Sequence, residues 1–210
     1  MQLPRRANMN STEKRIHREL RNYVRDDLSD SGIVIELVNN DLMNLKAYMK
    51  GVPGTPYEGG KYELDITIDD SYPYKAPTFK FITRIWNPCV SPFDGTVCLD
   101  HVGNGVWPVT MTIFEALLII QSWMSVYDSE HPVDMDISKQ AVEHEEIFKK
   151  TAKFWATKYA GARNPYDRKL LRKLRLMVRI TNNEDLAMFA LSYHNWVLPT
   201  DIKNPRIVRI

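Results

Sequence analysis

At 210 residues the chain is long enough for about one domain and a remainder, at roughly 100–200 residues per domain, with a sizeable buried core. Its 44% hydrophobic and 26% charged content excludes wholesale disorder, and a net charge of +2 describes neither a dedicated nucleic-acid binder nor an acidic solvating tail. No run approaches the ~18 apolar residues of a membrane span, MQLPRRANMN lacks an apolar core of signal-peptide length, and two cysteines make neither a disulfide framework nor a zinc pattern. The expected setting is therefore the reducing cytoplasm or nucleus, with no membrane and no nucleic acid as partner.

Residues 1–10 carry no pattern and are expected to be flexible. Asn10 followed by Glu13 predicts a helix cap with its reciprocal carboxylate. Ile16, Leu20, Tyr23 or Val24, and Leu28 then recur at helical spacing, with Lys14, Arg15, Arg18 and Arg21 between them. Four strands follow: IVIELV (33–38), LKAYMK (45–50), KYELDITID (61–69) and TFKFIT (78–83). Their period-two alternation implies one covered and one wet face, hence antiparallel pairing in a meander. Residues 84–111 are aperiodic and rich in Pro, Gly and Trp, a length that inside a compact domain points to function. A buried helix is predicted over 112–126 and a helical stretch over 138–160. AGARNP (160–165) marks a Gly/Pro hinge. Two further helices are predicted, 166–180 and 184–194, the second capped by Asn182 or Asn183, before a tail broken by Pro199 and Pro205.

Four groups of residues carry possible chemistry. Cys98 lies in the aperiodic segment, three residues after Gly95 and near Asp100 and His101. It reads either as a core cysteine or as a nucleophile, whose reactivity depends on access and local field. A Cys–His dyad would normally draw on a distant histidine, and nothing singles one out among His17, His101, His131, His144 and His194. Cys89 and Cys98 together are too few ligands for a structural zinc site. The basic run Arg163, Arg168, Lys169, Arg172, Lys173, Arg175 and Arg179 is either the solvated face of an amphipathic helix or a surface for an anionic ligand.

TPYEGG (55–60), SYPYKAP (71–77), FITRIW (81–86), GTVCLD (95–100) and Trp107 resemble, in order and spacing, the ubiquitin-conjugating enzymes over roughly residues 12–160. FKKTAKFWATKYAGA (148–162) and ALSYHNW (190–196) bring the resemblance closest to the branch with a C-terminal ubiquitin-associated domain. The resemblance implies an α+β fold: an N-terminal helix, a four-stranded antiparallel meander and C-terminal helices, with a small helical domain appended. Its divisions are a flexible 1–10, a catalytic domain over 11–160, a hinge at 161–165 and a degenerate ubiquitin-associated-like domain over 166–210. It further implies that Cys98 accepts ubiquitin as a thioester from the activating enzyme and passes it to protein substrates or ligases of the RING or HECT type, with no metal or organic cofactor. Lys14, Arg15 and Arg18 match the family's docking face for the activating enzyme, and Tyr74 with Pro108, Val109 and Thr110 matches the two ligase loops.

The sequence departs from that family at three places. Its His-Pro-Asn tripeptide reads Asn87-Pro88-Cys89 here, so Cys89, a weak donor, stands where the family has an oxyanion-stabilising asparagine. Asn87 occupies the histidine position and is the candidate to keep that residue's structural hydrogen bond in support of catalysis, and Asp100 the candidate to assist the incoming lysine. The usual Pro-Asp-Asp-Pro has become Ser129-Glu130-His131-Pro132 after Asp128. Met177-Val178-Arg179 stands in place of the Met-Gly-Phe/Tyr loop of a ubiquitin-associated domain, which leaves ubiquitin binding there doubtful and a bracing role open. Three functions follow: an active conjugating enzyme that discharges slowly, a catalytically impaired regulatory partner, or a conjugating enzyme for another ubiquitin-like modifier.

Overall fold

A computed structural model describes residues 3–4, 9–26, 28–99, 107–126 and 130–199. Helix α1 spans Ser11–Arg25, closed by the predicted capping box: Asn10 Oδ1 accepts from Glu13 N at 2.8 Å, and the Glu13 carboxylate accepts from Asn10 N at 2.8 Å. It ends three residues before Leu28, which instead opens a 3-10 turn over Leu28–Ser31.

Strands β1 (Ile33–Val38), β2 (Asp41–Lys50), β3 (Lys61–Thr67) and β4 (Thr78–Phe81) form one antiparallel sheet in chain order. β2 begins four residues earlier than its alternation predicts, because Asn39 and Asn40 both adopt left-handed backbone and set Val38 opposite Asp41 in a two-residue turn. Asparagine tolerates that conformation better than other non-glycine residues. The inward set Ile35, Ala47, Leu64 and Phe81 lies in register across all four strands and joins Ile16 and Leu20 of α1 in the core.

Helix α2 spans Ile113–Ser122, capped by Thr112 and Glu115; Ile113, Ala116, Leu117 and Ile120 are buried, while Leu118 is partly exposed. The predicted stretch 138–160 is two helices, α3 (Met135–Glu143) and α4 (Glu145–Tyr159). His144 leaves helical backbone at φ −135°, ψ 48°, and its carbonyl accepts from Ile147 and Phe148. The break lets Gln140 and Ala141 on α3 and Phe148, Trp155 and Ala156 on α4 bury along different directions. Helices α5 (Arg168–Thr181) and α6 (Glu184–Tyr193) are capped by Asp167 and Asn183. Met177-Val178-Arg179 therefore lies within α5, and the connection to α6 is Asn182-Asn183, with Asn182 left-handed. Pro205 and the tail from residue 200 lie outside the described residues.

The last two helices share a core with α4. Trp155 Nε1 donates to Ser192 Oγ at 2.9 Å, Trp196 Nε1 donates to Thr151 Oγ1 at 2.9 Å, and Trp196 is fully buried. Arg84–Asp185 and Lys158–Glu184 ion pairs, each 2.6 Å, close the rim. Residues 161–167 are irregular but tied down: Ala162 N donates to the Ala156 carbonyl at 3.1 Å and Asn164 Nδ2 to that of Glu58 at 3.5 Å. No helix among the described residues is long and apolar enough to cross a membrane.

This shared core predicts that Trp196→Ala lowers stability by about 3–5 kcal/mol, the range for truncating a buried Trp. Denaturant unfolding followed by tryptophan fluorescence is expected to show one transition in both proteins. Two separated transitions would mean that α5 and α6 unfold on their own.

Candidate functional site

The aperiodic segment after β4 is folded back along that strand. Phe81 N donates to the Gly95 carbonyl at 2.8 Å, Val97 N donates to that of Phe79 at 3.2 Å, and Ser91 N and Thr96 O pair at 2.9 Å across the intervening loop. Gly95 makes this approach possible. Its φ is +78°, and a Cβ there would lie 1.9 Å from the Phe81 carbonyl oxygen. Asp94 locks the turn, accepting from Thr96 N at 3.1 Å and Thr96 Oγ1 at 2.7 Å. Hydrogen bonds from the Ser91 hydroxyl and from Thr96 push the Asp94 carboxyl down to about 2.

Strand-like alternation continues through the next residues. Val97 and Leu99 are buried and Cys98 between them is half-exposed, so the thiol is set on the outer side of a segment fixed by its neighbours. Asp100 and His101 lie outside the described residues, as does Asp128. Among the described residues no cluster of His, Cys, Asp or Glu could hold a metal ion.

The turn Asn87-Pro88-Cys89 is buried. Asn87 Nδ2 donates to the Tyr57 hydroxyl at 3.1 Å and the Trp123 carbonyl at 3.0 Å, while Oδ1 accepts from Cys89 N at 2.9 Å. Both amide N–H groups are thus committed inside the fold. Cys89 is a core residue with 1% exposure. The Pro88 carbonyl accepts from Val133 N and Asp134 N, which ties the turn to the start of α3.

Several supports of this region are invisible to sequence reasoning. Trp86 Nε1 donates to Gln140 Oε1 at 2.8 Å, and Gln140 Nε2 donates to the Ser192 carbonyl at 2.7 Å, joining the buried turn to α6. Phe93, in the loop before Cys98, stacks on Phe189 at 5.2 Å and on Tyr193 at 5.9 Å, and the Tyr193 hydroxyl donates to Asp134. The one available signal is Gln140, a polar residue at an inward position of its helix.

The predicted partner residues share one surface. Lys14 and Arg18 are exposed on α1, Tyr74 is 82% exposed, and Val109 and Thr110 are exposed on the turn after Trp107, with Pro108 half-buried beside them. Arg15 differs: its guanidinium pairs with Glu19 and donates to the carbonyls of Thr110 and Met111, each at 3.3 Å. Glu19 also accepts from the Tyr72 hydroxyl at 2.7 Å and from Ile113 N at 3.0 Å. Arg15 and Glu19 therefore bracket the two loops against α1, leaving Lys14 and Arg18 as the outward charges.

Two outcomes follow from this turn. Gly95→Ala is expected to destabilise the protein by more than about 2 kcal/mol, from left-handed strain plus the clash with the Phe81 carbonyl, read by denaturant unfolding. Because the folded-state carboxyl of Asp94 titrates below its unfolded value, its stabilisation is complete above about pH 4 and lost as the pH falls towards about 2. The stability difference between the parent and Asp94→Asn is expected to vanish across that window.

Known proteins agree with this architecture. The family model described as "Ubiquitin-conjugating enzyme" matches residues 15–156. The chain is 32% identical over 194 residues to human Ubiquitin-conjugating enzyme E2 K, covering 91% of this chain and 95% of that one. It is 34% identical over 193 residues to Drosophila melanogaster Ubiquitin-conjugating enzyme E2-22 kDa, covering 90% and 94%. A solved structure described as "a putative ubiquitin conjugating enzyme from Plasmodium yoelii" superposes with a TM-score of 0.65 at 34% identity, covering 73% of this chain and 97% of that one. A family match over most of the meander-and-helix core, joined to full-length likeness to these relatives, means that the chain belongs to the ubiquitin-conjugating enzymes and is close to the 22–25 kDa members with a C-terminal extension.

Proposed function

We propose that Cys98 carries ubiquitin as a thioester. Its thiolate attacks the thioester carbonyl of ubiquitin held on the activating enzyme and expels that enzyme's thiolate. A substrate lysine amine, or a ligase cysteine, then attacks the Cys98 thioester; the Cys98 thiolate leaves and is reprotonated. The observation that carries this reading is the half-exposed thiol between two buried side chains, on a segment pinned along β4. A thioester retains its acyl activation, so positioning supplies much of what the enzyme must add.

The two transfers differ in what they need. Thiol exchange uses a strong nucleophile at both ends, whereas aminolysis depends more on donors aimed at the developing oxyanion. Asn87 has no amide N–H to spare and Cys89 is buried, so neither supplies such a donor. Efficient loading with slow discharge to lysine is the consequence. In this account Asn87 positions the turn. Asp100, outside the described residues, is assigned the incoming amine.

The surface of Lys14, Arg18, Tyr74 and Pro108–Thr110 is assigned to the activating enzyme and to ligases of the RING or HECT type, with Arg15 holding its shape. The unit over 166–210 is a degenerate ubiquitin-associated-like domain that braces the catalytic domain. The reaction is placed in the cytoplasm or nucleus and uses no cofactor on this chain. The relatives' names favour active conjugation of ubiquitin over a scaffold role or another modifier.

The test is charging with activating enzyme, ATP and ubiquitin, read on a non-reducing gel. A reductant-sensitive band is expected, absent in Cys98→Ala. In single-turnover discharge, free lysine is expected to strip the thioester more slowly than from a His-Pro-Asn family member, by on the order of 10²-fold, the typical effect of one lost oxyanion donor. Equal discharge rates would mean that the altered tripeptide does not limit aminolysis, and absence of the band would remove the enzymatic reading.

A further inference from the structure

Helix α5 displays a row of arginines that the fold does not use. Arg168, Arg172, Arg175 and Arg179 are all exposed and fall at i, i+4, i+7 and i+11, one line about 16 Å long at ~1.5 Å per residue. The opposite side of the helix is spent inward, with Leu170 and Leu174 buried. No acidic residue occurs within α5, and none of the four arginines has an ion-pair partner among the described residues.

This arrangement works against the helix. Like charges three and four residues apart repel, and basic residues at the first turn oppose the helix dipole. Arg168 and Lys169 occupy that first turn, offset only by the N-cap carboxylate of Asp167. Elsewhere the chain avoids the problem: Lys149 pairs with Glu145, Lys158 with Glu184, Arg84 with Asp185 and Lys75 with Asp69. A row at the same spacing on α1, Lys14, Arg18, Arg21 and Arg25, is interrupted by Glu13 and Glu19 and ends in an Arg25–Asp26 pair. A merely solvated face on α5 would gain from one glutamate in the row, and it has none.

Charge is concentrated here. Residues 161–181 hold seven bases against the single acid Asp167, a net +6 within a chain of +2, so the remainder sums to −4. Arginine rather than lysine fills all four outward positions, and its planar fork binds carboxylates in pairs. We propose that the arginine face of α5 docks an acidic segment of a protein partner, one whose carboxylates recur about every helical turn. A lipid surface fits less well, because the apolar side of α5 is buried in the fold and cannot insert. A nucleic-acid strand fits less well, because it would run beyond one short helix face onto a chain whose remaining charge is negative. Through α6, whose Phe189 and Tyr193 stack on Phe93, a partner held on α5 is held at a fixed place relative to the segment bearing Cys98.

The test uses the full chain and a fluorescent ten-residue polyglutamate peptide, read by anisotropy at about 50 mM and about 150 mM salt. Binding is expected, weakening with salt, and Arg172→Ala/Arg175→Ala is expected to reduce affinity roughly tenfold or more. Lys50→Ala/Lys61→Ala, which removes the same charge from the sheet, is expected to leave affinity unchanged. The arginine variant is also expected to melt no lower than the parent, since it relieves repulsion. The proposal is overturned by absent binding, by equal loss in the lysine variant, or by a lowered melting temperature in the arginine variant. Tighter binding of oligothymidylate or of phosphatidylserine vesicles than of the peptide would overturn it equally.

Discussion

Asn87 donates to the Tyr57 hydroxyl and the Trp123 carbonyl and accepts from Cys89 N, and through these bonds two distant stretches of chain meet at one buried turn. Tyr57 belongs to the connection between β2 and β3, and its own hydroxyl donates to the Trp86 carbonyl at 2.7 Å. Trp86 continues the network through Gln140 to Ser192. A buried polar group without a partner costs about 1–3 kcal/mol, so a closed network of this kind specifies one arrangement of the loop. The segment that bears Cys98 starts from that turn and is held at its other end along β4.

On the proposed reading, Asn87-Pro88-Cys89 does the mechanical part of the family's His-Pro-Asn element without the chemical part. An asparagine at the first position supplies the bonds that fix the turn. The third position, now a buried cysteine, contributes packing. In the function proposed above, such a site presents a thiol well and stabilises an oxyanion poorly, which separates loading from discharge. The C-terminal helices enter the same structure: Phe93 lies on Phe189 and Tyr193, and Arg84 reaches Asp185 across the junction. They are structural neighbours of the active segment rather than a loosely tethered module.

Much of this was legible in the sequence. Period-two alternation placed β3, β4 and the later part of β2, a β-branched run placed β1, and the Asn10/Glu13 pair placed the start of α1. GTVCLD, through its resemblance to the ubiquitin-conjugating enzymes, pointed to Cys98, the thiol that the proposed function uses. What escaped was whatever depends on contacts between distant residues. The Asn39-Asn40 turn carries β2 back to Asp41, where Leu42 and Leu45 are both buried three residues apart and so break the alternation. The break at His144 is set by tertiary packing, since nothing in the local pattern forbids a continuous helix there. Arg15 looked like one more outward charge and is instead drawn inward by Glu19, a partner four residues on that also serves Tyr72 and Ile113. Gln140 and Phe93 gain meaning only when α6 is laid beside them.

The most direct measurement is to digest the charged, unreduced protein and locate the ubiquitin C-terminus by mass spectrometry. A hydroxylamine-labile adduct is predicted on the peptide containing Cys98, with the buried Cys89 unmodified. An adduct on Cys89, or on lysine alone, would contradict the account.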